Sequence, residues 1–570
     1  MTTADHTTLV TAAPADTHAL TTVPARTKLA ALEHWLEKGG DRLNPILVKE
    51  TRQALKSKQF TLTFMLLLLC GWAWTFIGAA MVGPGIFYGA HGRELFYGYF
   101  VALAFPLCVV VPYGAFRSLA AEREDGTYEM LSITSLAPWQ IISGKLGSAI
   151  VQMIIYFSAI SPCLAFTYML RGIDVPTIFF ALYYVFLASA GLSAVTLLIA
   201  TLTQEKFWQV LLTVAVVAGT FFVFWVVIFA MFEFINETID FYERYFWIGN
   251  AVFLTFYLSY FVLVFLAATS QLTFTSCNRS TALRVAMTIQ FMLFTGWMAW
   301  FWFFEAPGQW EFVFLYLLLG GLHWYVMGAF LTGESSLLSP RVRRRLPRST
   351  LGRMLLSWYA PGSGTGFMFV VGNFLTLLVL SSLALVVASL LRIDLQATAF
   401  AGMTTDVLVQ FAILGTSYAI IYLGIGRFVM MFARRHLTIS PLAPLLIQIL
   451  ILAMACGIPF AVHGMSPARF GTDYSLLHTT NALWTMTEAM AGRSSPEIRW
   501  LLLILPATAL AMVAAHLPSI AKEVRLGRLV APPRVRQEEA ELAGKDLAPP
   551  EPVRTNPWGD VKQVVSEENL

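Results

Sequence analysis

FTLTFMLLLLCGWAWTFIGAAMV, residues Phe60 to Val82, settles the fold class: it is 23 residues long and contains no charged side chain. As an α-helix rising about 1.5 Å per residue it reaches about 35 Å, enough to cross a hydrocarbon core of about 30 Å. Runs of this kind recur along the whole 570-residue chain, at 60–82, 95–116, 146–170, 178–202, 208–232, 246–270, 285–304, 312–331, 366–391, 407–426, 441–462 and 500–520. With 57% hydrophobic residues, 13% charged residues and a mean hydropathy of +0.66, the composition agrees. The expectation is an all-α, polytopic integral membrane protein with about twelve transmembrane helices, arranged as 6+6 if the two halves correspond.

The Lys and Arg residues orient it. With a cytoplasmic N-terminus, 31 of the 38 basic residues fall in inner connections or tails. The remaining seven, Arg93, Arg171, Arg244, Arg392, Arg469, Arg493 and Arg499, fall outside. Basic residues are retained on the cytoplasmic side, so both termini are expected there, in a multi-pass protein of the plasma membrane (the inner membrane in a bacterium).

The charged residues also narrow the function. Every Asp and Glu reads as lying in a connection or at a span edge, as do Glu305 and Glu311, and no basic group reads as central to a span. Ion-coupled transporters bury such groups along their path, so a twelve-span secondary transporter becomes the alternative reading. His323 and His516 fall within spans and read as helix-packing donors; Gln152, Gln290, Asn373, Gln410 and Gln448 read as interhelical hydrogen-bond partners. No phosphate-binding loop occurs, because Gly144-Lys145 lacks both the upstream glycine and the following hydroxyl. There is no HExxH and no clustered His/Cys/Asp set, so neither a metal, a cofactor nor catalysis is expected on this chain. Pro361-Gly362-Ser363-Gly364 reads as a flexible turn rather than a nucleophile. Cys70, Cys108, Cys163, Cys277 and Cys456 are isolated and read as small apolar residues.

Ahead of the first span, residues 1–25 are Thr/Ala-rich and lack the apolar core of a secretion signal. Leu29, Leu32, Trp35 and Leu36 then recur at helical spacing. In NPILVKETRQALKSK, Asn44 caps and Pro45 starts a helix. Lys49, Arg52 and Lys56 form a stripe opposite Ile46, Leu47 and Leu55, as in a helix lying in the headgroup layer.

Between spans two and three lies AEREDGTYEML, residues 121–131, which concentrates Glu122, Arg123, Glu124, Asp125 and Glu129. Asp125 is placed to cap a short helix beginning with Thr127, Tyr128 and Glu129, and Met130, Leu131 and Ile133 give it an apolar side. Gly144-Lys145 follows at the expected mouth of span three.

EREDGTYEML followed by IISGKL resembles the signature of type-two ABC-exporter permeases, the membrane subunits of ATP-driven exporters. The resemblance is best over 44–272. It implies a six-span domain that opens with an interfacial helix and carries, between its second and third spans, a coupling helix that docks on a separate ATPase. By position, that role falls on Glu122, Arg123, Gly126, Thr127, Glu129, Leu131, Gly144 and Lys145, with Glu124 in the same charged run. The family often has Thr-Pro before its last segment, whereas here Thr134 is followed by Ser135 and the proline is Pro138. The implied partner is a cytoplasmic ABC ATPase dimer. Membrane lipids surround the chain, a homodimer or an additional permease subunit would fit beside it, and no nucleic acid is implied.

The second half offers six more spans, but its loop 333–365 replaces the acidic signature with Arg341, Arg343, Arg344, Arg345, Arg348 and Arg353. It reads as a topogenic, lipid-touching loop. Outside, Leu477, Leu483, Trp484 and Met486 suggest a short helix resting on the outer interface. The expected organisation is a tail with an amphipathic segment at 1–43, a six-span permease domain at 44–272 with coupling loop 117–145, a second membrane region at 273–520, and a disordered tail at 521–570. Function is expected to be that of an exporter permease subunit; a non-transporting membrane assembly protein is the third class.

Overall fold

The computed structural model describes residues 44–542 apart from 84–88, 127–135, 203–205, 238–239, 275, 335–338, 345–348, 350–351, 353–356, 394–403, 437–440, 466–473, 475, 492–495 and 526–531. Among the described residues all regular structure is helical. Twelve helices among these residues are long and apolar enough to cross a membrane. A short helix α1 (Pro45–Leu55) leads into α2 (Lys58–Val82). Then come α3 (Gly92–Glu124, with a π-helical turn at Pro106–Val110), α4 (Pro138–Met169) and α5 (Val175–Ala200). They are followed by α6 (Lys206–Asn236), α7 (Arg244–Leu272), α8 (Thr281–Glu305) and α9 (Trp310–Leu331). The last spans are α10 (Ser363–Leu390), α11 (Thr405–Ala433), α12 (Ala443–Met465) and α14 (Pro496–Arg525); the nine-residue α13 (Ala482–Met490) lies between the final two.

Buried side chains divide at α7. One core runs from Ile46 to Leu272, and a second runs from Leu263 to Ile520, so α7 contributes to both. A smaller third core joins Leu414, Tyr418 and Tyr422 of α11 to Ala482, Ala489 and Leu501.

The helices outrun the apolar windows. Span two continues to Glu124 and span three starts at Pro138, eight residues before the apolar run suggested. Polar residues continue a helix once its apolar part is packed. At 33 residues α3 is about 50 Å long, longer than the ~30 Å a hydrocarbon core requires, and its C-terminal end is charged. Proline opens α1, α4 and α14; Pro45 follows the Asn44 cap, and ahead of Pro138 the Gln140 side chain accepts from the Ala137 N–H at 2.8 Å.

Three expectations change. Ser363 is no flexible turn: it opens α10 and is buried. A helix does form at Ala482–Met490, but it packs into the bundle, with Thr485 fully buried against α11. In the C-terminal region α14 persists to Arg525 and Pro533–Leu542 is helical (α15), led by proline and built from good helix formers. The amphipathic segment before residue 44 lies outside the described residues.

A candidate functional site where α1 meets the end of α3 and the start of α4

α1 lies against the start of α4 because glycines let it approach. A Cβ on Gly144 would sit 2.8 Å from the Ile46 side chain, and one on Gly147 would sit 2.8 Å from Leu47 Cδ1. Asn44 fixes the register: its Oδ1 accepts from the Ile46 N–H at 3.1 Å, while its Nδ2 donates to the Gln140 carbonyl at 2.5 Å. Ile46 and Glu50, one turn apart, are the buried face of α1.

Into that contact projects Lys145, two turns inside α4 and only 2% exposed. Its Nζ lies 3.1 Å from Glu50 Oε1 and 3.0 Å from Glu122 Oε2, and it donates to the Ser118 carbonyl at 3.3 Å. Lys49 approaches from α1 and donates to Glu122 Oε1 at 3.1 Å. Two cations and two carboxylates thus form a neutral cluster that joins α1, the end of α3 and the start of α4. Burial pulls the Lys49 amine down, but the Glu122 and Glu50 carboxylates more than offset this, and its pKa ends above the usual 10.5.

The sequence-derived residues separate accordingly. Glu122 and Lys145 come together in the clasp. Arg123 donates to the Thr201 carbonyl at 2.6 Å, tying the end of α3 to the end of α5. Glu124 pairs with Arg117 at 3.2 Å. Asp125 stands at the C-terminal cap of α3, and Gly126 turns the chain with φ of +67°. Thr127, Glu129 and Leu131, with the expected coupling helix, lie outside the described residues. Within the charged run Glu122 and Arg123 face α1, α4 and the end of α5, because α3 carries them along the flank of its neighbours. Gly144 serves the α1 contact, and Lys145 stands two turns into α4 beside the end of α3, just ahead of the apolar run.

Sequence reasoning missed Glu50 altogether, and it placed two buried arginines of the second half in connections. Arg284, fully buried in α8, donates to Glu334 Oε2 at 2.7 Å, the Trp358 carbonyl at 2.6 Å and the Gly362 carbonyl at 3.1 Å. Arg427, fully buried in α11, lies 3.5 Å from Glu523 Oε1 of α14, and Glu523 Oε2 accepts from the Gly364 N–H at 3.0 Å. Arg434 donates to the carbonyls of Gly333 and Glu334. These links gather the ends of α8, α9, α10, α11 and α14. The available signal was composition: a lone arginine bordering an apolar run has few places to put its charge except against an acid.

The lone histidines pack as expected: His323 Nδ1 lies 3.2 Å from the Tyr260 hydroxyl and His516 Nε2 lies 3.1 Å from the Gly424 carbonyl. Gln448 does bridge helices, accepting from Tyr325 and donating to the Tyr422 carbonyl, whereas Gln152 and Asn373 bond within their own helices. No group of three metal-ligating side chains occurs among the described residues. Comparison with family models, curated proteins and solved structures returned no match to this chain.

Proposed function

We propose that this chain is the membrane-spanning permease subunit of an ATP-driven exporter of the type-two ABC class, with both termini cytoplasmic and a 6+6 arrangement of spans. A separate ATPase dimer docks on loop 117–145. The observation that carries the reading is the Lys145–Glu50–Glu122–Lys49 cluster. It joins the interfacial helix to both helices bordering the proposed coupling loop, so a push on that loop reaches α1 and the two spans as one body. Asp125 and Glu124 are the described acidic residues of the loop left exposed for a partner, with Glu129 beyond them in sequence.

A secondary transporter is the second reading, favoured by one observation: Arg427 and Glu523 are an ion pair buried within spanning helices. Purification of the tagged chain from its native membrane separates the two. The exporter reading expects vanadate-sensitive ATP hydrolysis to accompany the chain, to be absent from the chain alone, and to be lost with Asp125→Lys plus Glu129→Lys at unchanged abundance. An ATPase-free preparation that accumulates solute on a proton or sodium gradient alone overturns it.

A further inference from the structure

We propose that the cavity walled by α9, α10, α11, α12 and α13 holds the acyl chain of a membrane phospholipid. It has a volume of about 210 Å³. Its wall includes Leu318 and Leu322 of α9, Phe374 of α10, Phe411 of α11, Leu452 of α12 and Met486 of α13. An apolar cavity of about 150 Å³ already excludes water and accepts benzene, so this one has room for a longer stretch of hydrocarbon.

The lining cannot recognise a polar ligand, because its polar groups are engaged by the protein. Tyr325 donates to Gln448 Oε1 at 3.1 Å, Tyr422 to the Thr480 carbonyl at 2.6 Å, and Tyr418 to the Thr479 carbonyl at 2.5 Å. Thr416 donates to the Ala412 carbonyl at 2.7 Å. The cavity receives rings and methylenes only.

Its mouth identifies where the occupant comes from. Leu318 and Leu322 are 41% and 58% exposed, and both lie near the middle of α9, at the depth of the hydrocarbon rather than at a water-facing end. Between them, Gly321 lines the wall, and a Cβ built there meets nothing within 4 Å. No Lys or Arg lines the cavity, so nothing in it would hold the carboxylate of a free fatty acid. A phospholipid can leave its headgroup in the headgroup layer while one chain turns in. The far wall is fixed: Thr485 of α13 lies 3.0 Å from the Tyr418 hydroxyl and 2.7 Å from that of Tyr474, which sets Met486 against Gly415. The inference needs only that the chain resides in a bilayer, and it stands apart from the coupling reading.

The test reconstitutes the full chain in phosphatidylcholine vesicles containing a phosphatidylcholine with a diazirine in its acyl chain, followed by photolysis and peptide mapping. Adducts are expected to concentrate on Leu322 and Met486 over the exposed Phe222 and Phe229 of α6. Gly321→Phe, or independently Ala412→Leu, is expected to reduce the Met486 adduct to the α6 level while the protein still elutes as a single species. Uniform labelling of α6 and Met486 in the unaltered chain overturns the site, and so does labelling that survives both fillings. Stronger labelling of Met486 by a diazirine fatty acid than by the phospholipid overturns the occupant.

Discussion

Lys145→Met tests the clasp directly. The substitution keeps an unbranched apolar stem one atom shorter than that of lysine and leaves Glu50 and Glu122 facing each other, with side-chain exposures of 8% and 18%. Removing one partner of a buried ion pair costs about 3–5 kcal/mol, chiefly because the surviving charge is left uncompensated. Lys49 still reaches Glu122 at 3.1 Å but is itself half exposed, so it offsets only part of the loss. The lower end, about 3 kcal/mol or about two orders of magnitude in the folding equilibrium, is therefore expected. Reversible unfolding in mixed micelles, followed by tryptophan fluorescence, measures it. The reasoning also fixes a reversal: Lys145→Met combined with Glu50→Gln and Glu122→Gln removes every charge that the lysine neutralised, and is expected to return to within about 1 kcal/mol of the unaltered protein. If Lys145→Met alone is silent, or if the triple variant is no better than the single one, the cluster is solvated and holds nothing together.

Two further outcomes follow from the geometry. Gly144→Ala places a Cβ 2.8 Å from Ile46 and 3.0 Å from the Leu47 nitrogen, so it should destabilise by about 1–3 kcal/mol through overpacking, whereas Gly219→Ala, with open space around it, should stabilise slightly; unfolding of the pair side by side checks the sign. In a cysteine-free background, a cysteine at Ser349 should resist a membrane-impermeant thiol reagent in intact cells while one at Asp240 reacts, and the opposite pattern would reverse the proposed orientation.

The spans were legible because the signal is local. Twenty or so consecutive apolar residues demand burial in lipid or protein wherever they fall, and twelve such runs reappear as twelve helices. The Asn44-Pro45 start of α1 is likewise written in adjacent residues. What local pattern cannot hold is which charge meets which. Glu50 and Lys145 are 95 positions apart, and Gly364 and Glu523 are 159 apart. Their meeting depends on helices approaching through Gly144 and Gly147 and on α4 beginning eight residues before its apolar run. The same packing decided that Glu122 and Arg123 face their neighbours. Hydropathy along the chain determined how many helices are long and apolar enough to cross a membrane; only tertiary packing, which sets the distance between charges remote in sequence, decided that Lys145, Arg284 and Arg427 bind those helices together by their ends.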